Sequence, residues 1–99
     1  MKSPITTHVL DTATGNPAAG VAIRLYIEDA PDRWLLLASG ITDDDGRITD
    51  LLPSDHALKP GKYRMRFNTG DYFAAAGVEG FYPYADVVFS VSAVKAHYH

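Results

Sequence analysis

Cysteine is absent from this chain. That absence removes a disulfide framework, a thiolate nucleophile and a thiolate metal site together. It leaves the compartment open, because reducing and oxidising environments both accept a cysteine-free domain. Basic residues are few and scattered: nine Lys and Arg against twelve Asp and Glu give a net charge of -3, so the basic stripe of a nucleic-acid platform is missing. No apolar run approaches the length of a membrane span. Met1-Lys2-Ser3-Pro4 leads into an alternating segment without the apolar stretch of a signal peptide. The expected setting is cytoplasmic, with neither nucleic acid nor membrane as a partner. No Gly-x-Ser-x-Gly elbow offers a serine nucleophile, and no internal repeat, low-complexity tract or linker divides the chain.

What is present is the composition of a single globular domain over residues 1–99. A hydrophobic content of 46% with 21% charged residues is enough apolar material to exclude a disordered chain, and a domain of this length buries roughly two-thirds of its unfolded surface. Ile5 to Asp11 alternates with period two, which places Ile5, Thr7 and Val9 on one face and Thr6, His8 and Leu10 on the other. The first set is expected to point into the core. Thr14-Gly15-Asn16-Pro17 turns the chain. Val21, Ile23, Leu25 and Ile27 then line one face of a second strand. A polar loop over 28–32 and a third strand over 33–40 complete a hairpin.

The three aspartates of Asp43-Asp44-Asp45-Gly46-Arg47 suggest calcium, but the calcium loop needs alternate ligands, a later glycine and a more distant glutamate. The segment reads as a tight Asp-Gly turn that delivers Arg47 to the start of a short strand. Residues 50–61, bounded by Pro53 and Pro60, read as a loop. Tyr63, Met65 and Phe67 alternate with Lys62, Arg64 and Arg66 in an amphipathic strand, whose arginines are expected to form a solvated face. Asp71–Ala76 reads as a short helix capped by Asn68 or Thr69 and ended by Gly77. Phe81-Tyr82-Pro83-Tyr84 is expected to pack in the core, Val87–Val91 is another strand, and 92–96 connects it to His97-Tyr98-His99. Many short strands with turn signals and one small helix predict an all-β sandwich.

Four histidines supply the titratable chemistry. His56 lies in the proline-bounded loop and reads as an exposed bystander. His8 stands on a strand, and the spacing of His97 and His99 aims both at one face of any extended segment. Combined with Arg47, these residues offer a base, a second proton carrier and a fixed donor for a developing oxyanion. A His-x-His pair with a third histidine can also bind zinc, but without a cysteine or a clear acidic ligand a metal-free site is preferred.

Thr7-His8-Val9-Leu10-Asp11 with Gly15-Asn16-Pro17-Ala18, the turn Asp45-Gly46-Arg47, the run Tyr63-Arg64 to Phe67 with Thr69-Gly70-Asp71-Tyr72-Phe73, then Phe81-Tyr82-Pro83 and His97-Tyr98-His99, together resemble the 5-hydroxyisourate hydrolases. These are the transthyretin-like enzymes of urate and purine breakdown. The resemblance runs from about Ile5 to the last residue. It implies a transthyretin-like (prealbumin-like) sandwich of two four-stranded antiparallel sheets, assembled as a homotetramer, a dimer of dimers with ligand sites in the channel between them. The implied reaction opens the ring of 5-hydroxyisourate by hydrolysis to 2-oxo-4-hydroxy-4-carboxy-5-ureidoimidazoline, with no metal or organic cofactor. Carried onto this sequence, the catalytic residues are His8, Arg47 and His99, and His97 joins His8 and Arg47 in binding substrate.

On this resemblance Thr6, His8 and Leu10 are expected to face the intersubunit channel. The fold also hosts carriers, so the alternative is a small-molecule binding or transport module without catalysis. His8 and Arg47 favour the enzyme, since an apolar carrier channel has no use for them. Members of the family continue past the His-Tyr-His motif through a proline- and leucine-rich strand, a turn and a last strand ending in Tyr-Arg-Gly-Ser. The expectation is therefore a domain lacking that strand and tail, with unpaired edges, exposed apolar face and impaired activity until the tail is supplied.

Overall fold

The computed structural model describes residues 3–92 and 97–99; most of the connection expected over 92–96 lies outside the described residues. The elements in chain order are β1 (Thr7–His8), β2 (Leu10–Asp11), β3 (Asn16–Pro17), β4 (Ala22–Ala30), β5 (Arg33–Ile41), β6 (Arg47–Ile48), β7 (Gly61–Phe67), α1 (Thr69–Ala75) and β8 (Ala85–Val91). The four long strands form one antiparallel sheet in the order β5-β4-β7-β8. Facing it are two short antiparallel pairs, β1 with β6 and β2 with β3, and a parallel bridge between Ile5 and Tyr98.

The core lies between these layers. Ile23 and Leu25 of β4 are fully buried, and Ile5, Ile48, Tyr63 and Met65 close over them. The alternation read from β4 therefore gives the true inward face. The hairpin is longer than expected: Glu28 pairs with Trp34 and Ala30 with Arg33, so strand pairing consumes most of the supposed loop. Asp32, at φ 59°, makes the tight reversal. Aspartate tolerates that left-handed backbone better than most side chains.

Buried hydroxyls tie the connections to the core. Ser3 Oγ donates to the Ile5 carbonyl at 2.6 Å and accepts from the Leu52 N–H at 3.0 Å. Thr42 Oγ1 donates to the Ala18 carbonyl at 2.6 Å and accepts from the Val21 N–H at 2.9 Å. Tyr63 stacks on Phe89 with ring centroids 5.8 Å apart and donates its hydroxyl to the Lys59 carbonyl at 2.7 Å. Burial pushes the Tyr63 phenol above its usual range. The segment over 50–61 is irregular, as expected, yet it buries Leu51, Leu52 and Leu58.

Three expectations are corrected. Helix α1 begins at Thr69 rather than Asp71, and Asn68 sits at its N-cap without a side-chain hydrogen bond. Its first turn is seated instead by Gly70, whose N–H donates to the Pro83 carbonyl at 3.0 Å. A Cβ at Gly70 would lie 2.6 Å from that oxygen. The aromatic run is not core: Phe81 is 89% and Tyr82 69% exposed, because 81–84 passes outside the sheet. Arg64 and Arg66 are not a solvated face either. The Arg64 guanidinium lies 4.8 Å from the Tyr26 ring centroid and 4.7 Å from that of Trp34. Its Nε makes no hydrogen bond and relies on the Asp86 carboxylate 3.9 Å away. Arg66 stacks at 3.9 Å on Tyr84 and holds Asp86 with two bonds of 2.9 and 3.0 Å. The register pairs Tyr26 with Arg64 and Arg66 with Asp86, so complementary groups meet directly across the strands.

The Arg66 guanidinium holds the Asp86 carboxyl below its usual range. A depressed folded pKa means that the pair stabilises the fold at neutral pH and that this contribution disappears as pH falls through the carboxylate range. Asp86→Asn should cost about 0.5–1 kcal/mol at neutral pH. Urea titrations of variant and parent should differ fully above the usual carboxylate range and converge only as pH falls through the depressed pKa of Asp86; a difference independent of pH would rule out the ion pair as its source.

Candidate active site

The short β1–β6 ladder sets the register of the site. Thr7 stands opposite Ile48, and both are buried. His8 stands opposite Arg47, and both are exposed on the outer side. Side chains directly across an antiparallel pair have Cβ atoms about 4.5–5.5 Å apart, so the side chains of His8 and Arg47 leave the ladder as neighbours.

The turn before Arg47 is built by Asp43. Its Oδ1 accepts from the Asp45 N–H at 2.9 Å and the Arg47 N–H at 3.0 Å, while the Gly46 N–H donates to its carbonyl at 2.9 Å. Gly46 takes φ 75°, the left-handed backbone that the turn requires. Its carbonyl accepts from the Val9 N–H at 2.7 Å, and the Val9 carbonyl accepts from the Ala18 N–H at 3.0 Å. Val9 thus exchanges partners at the turn. That exchange splits the expected single strand into β1 and β2.

The third side of the site comes from the far end of the chain. The Thr6 N–H donates to the Tyr98 carbonyl and the Tyr98 N–H to the Pro4 carbonyl, both at 2.9 Å. This holds His97 and His99 beside β1. Thr6 Oγ1 lies 3.0 Å from His97 Nε2 and 2.8 Å from His99 Nδ1. A cavity of about 340 Å³ is lined by Thr6, Thr7, Arg47, Thr49, His97 and His99. Behind it, a more apolar cavity of about 330 Å³ reaches Met65, Phe67, Val87 and Phe89 and shares Thr6, Thr7 and His99 as its wall.

The fold therefore brings Arg47, His97 and His99 to one cavity and sets His8 beside Arg47, outside that lining. His56 lies elsewhere, half-buried in its loop rather than exposed. Thr6 shares the His8 face, as alternation requires, but it is 6% exposed because the terminal segment covers it. Sequence reasoning passed over Thr6 and Thr49 as site residues. For Thr6 the signal was its shared face with His8; nothing local marks Thr49. Among the described residues no group of three His, Cys, Asp or Glu side chains is placed to hold a metal ion.

Chemically, this arrangement offers a guanidinium with directed donors and three imidazoles whose ring nitrogens can give or accept hydrogen bonds. A model of the HIUase/Transthyretin family matches residues 5–99.

The chain belongs to that family.

Among members of the HIUase/Transthyretin family, it is 44% identical over 98% of its length to 5-hydroxyisourate hydrolase of Mus musculus, of which it covers 82%. It is 43% identical over 96% of its length to the 5-hydroxyisourate hydrolase of Salmonella dublin, covering 68% of that protein. The fold also matches solved transthyretins. A crystal structure of transthyretin from Sparus aurata superposes with a TM-score of 0.82 at 33% identity, covering 89% of this chain and 75% of that one. Sea bream transthyretin in complex with thyroxine gives a TM-score of 0.84 at 32% identity, covering 91% of this chain and 75% of that one. The transthyretin-like all-β sandwich is thus shown, and its second layer consists here of short pairs among the described residues.

The seat of Arg47 depends on Gly46. A Cβ there would collide with the Val9 carbonyl oxygen and crowd the Ala18 nitrogen at 3.1 Å, in a backbone conformation hostile to side chains. Gly46→Ala should cost on the order of 2–4 kcal/mol, as strain and collision add. Chemical denaturation measures it, and a change below about 0.5 kcal/mol would contradict the close approach.

Proposed function

We propose that this chain hydrolyses 5-hydroxyisourate, opening its ring to 2-oxo-4-hydroxy-4-carboxy-5-ureidoimidazoline. In this reading His8, Arg47 and His99 are catalytic, and His97 helps to hold the substrate. The observation that carries it is the cross-strand pairing of His8 with Arg47 beside a cavity where two further imidazoles meet. Relatives that are 43–44% identical and bear the name 5-hydroxyisourate hydrolase support the choice of substrate.

The chemistry follows from the groups present. His8 or His99 takes a proton from water as its oxygen bonds to a ring carbonyl carbon. Arg47 donates to the oxygen that gains charge, where a fixed donor is worth more than solvent. Collapse breaks the carbon–nitrogen bond of the ring, and the imidazolium returns its proton to the departing nitrogen. No step calls on a metal or an organic cofactor. The working form in this reading is a cytoplasmic homotetramer, a dimer of dimers, with the exposed edge of β1 and β6 facing the channel between dimers. A second reading, carriage of a small molecule, draws on the likeness to a transthyretin solved with thyroxine.

Freshly generated 5-hydroxyisourate, followed by its ultraviolet decay, separates the two readings. The chain should accelerate decay above the spontaneous rate, and Arg47→Ala should lower kcat/KM by about 100-fold or more. Tight ligand binding without turnover would favour the carrier. Unchanged rates in folded Arg47→Ala and His8→Ala variants would remove these residues from the mechanism.

A further inference from the structure

One hydroxyl touches both imidazoles of the terminal motif. Thr6 Oγ1 is within hydrogen-bond distance of His97 Nε2 at 3.0 Å and His99 Nδ1 at 2.8 Å. Thr6 is 6% exposed, so these rings, rather than bulk water, satisfy its side chain. The terminal segment does not need these bonds to dock. Its backbone is already held by the Thr6 N–H on the Tyr98 carbonyl and the Tyr98 N–H on the Pro4 carbonyl.

A threonine hydroxyl has one proton to give and lone pairs to receive. Between two neutral imidazoles, Oγ1 therefore donates to one facing nitrogen and accepts an N–H from the other. If it donates to His97 Nε2, His99 carries its proton on Nδ1 and presents a bare Nε2 as a base. If it donates to His99 Nδ1, His99 presents Nε2–H and His97 Nε2 carries the donating proton. The two rings are thereby bound to opposite states at their Thr6-facing nitrogens.

We propose that Thr6 is a positioning residue that locks His97 and His99 into complementary tautomers and passes a proton between them. This rests on the hydrolase reading for its use in turnover, not for the tautomers themselves. When His99 Nε2 takes a proton from water, the Nδ1 proton of His99 moves to Thr6 Oγ1 as the Thr6 proton moves to His97 Nε2. One proton enters at His99 and one positive charge emerges on His97, with the hydroxyl restored. The charge is then shared across the cavity instead of resting on the ring nearest the attacking oxygen. Arg47 on β6 lines the same cavity as the pair, and His8 on β1 stands across the ladder from Arg47, outside that lining.

The test uses the full chain with nitrogen-15-labelled histidine, alongside Thr6→Val, which removes the hydroxyl, and Thr6→Ser, which keeps it. Long-range proton–nitrogen NMR spectra should show, in the parent and in Thr6→Ser, His97 and His99 with opposite protonation at the nitrogens facing residue 6. In Thr6→Val that complementarity should vanish. With 5-hydroxyisourate, Thr6→Val should lose on the order of 10–100-fold in kcat with little change in KM and a displaced pH–rate profile. Thr6→Ser should stay within about threefold of the parent. Identical protonation at both facing nitrogens in the parent would overturn the proposal, as would unchanged tautomers and pH profile in Thr6→Val. If Thr6→Val fails to fold, the parent and Thr6→Ser spectra still decide. Complementary tautomers without turnover of 5-hydroxyisourate would leave the bridge standing and reject the hydrolase reading.

Discussion

The Gly46 carbonyl receiving the Val9 N–H at 2.7 Å is the contact on which the site geometry depends. It presses the Asp-Gly turn against the first strand at the point where that strand changes partners. On one side of it, β1 pairs with β6 and brings His8 opposite Arg47. On the other, β2 pairs with β3 and carries the chain into the core through Ala18. The backbone approach is so close that only a residue without Cβ fits, and the turn demands the positive φ that the same residue tolerates. One glycine therefore meets two requirements, and the backbone of Arg47 is placed by the turn and the β1–β6 ladder.

Stability and chemistry are carried by different layers. The long sheet, with fully buried Ile23 and Leu25, supplies the apolar contact, and its outer face is closed by arginines against aromatic rings and Asp86. The short pairs opposite supply little core, but they position polar groups at an edge that solvent and small molecules can reach. A two-residue ladder is adequate for this purpose because Thr7 and Ile48 are anchored inward at the next position. The helix is linked to the same layer through the Tyr72 hydroxyl, which donates to Asp11 Oδ2 at 2.9 Å. That bond to a carboxylate raises the Tyr72 phenol above its usual range.

Much of this was legible in the residues. Period-two alternation found the inward faces of β4 and β7, the Asp-Gly dipeptide found the turn, and Gly77 marked the end of α1. Failures came where distant segments decided the outcome. The aromatic run 81–84 has core composition but passes outside the sheet, seated on the start of the helix at Gly70. Arg64 and Arg66 alternate like a solvated face, yet cross-strand aromatics and Asp86 half-bury them. The histidine, arginine and motif signals were sufficient to name the candidate residues, and the resemblance they carried agrees with the family match over residues 5–99.

Taken alone, the sequence determined strand faces, turn positions and the presence of His8, Arg47, His97 and His99, because alternation and left-handed glycine are properties of neighbouring residues. Tertiary structure decided that His8 faces Arg47, that Val9 interrupts the first strand and that Thr6 is covered and bonded to two imidazoles. These depend on register between segments separated by up to 93 positions. Register is selected by how buried faces and backbone partners fit together across the fold, which no local pattern contains.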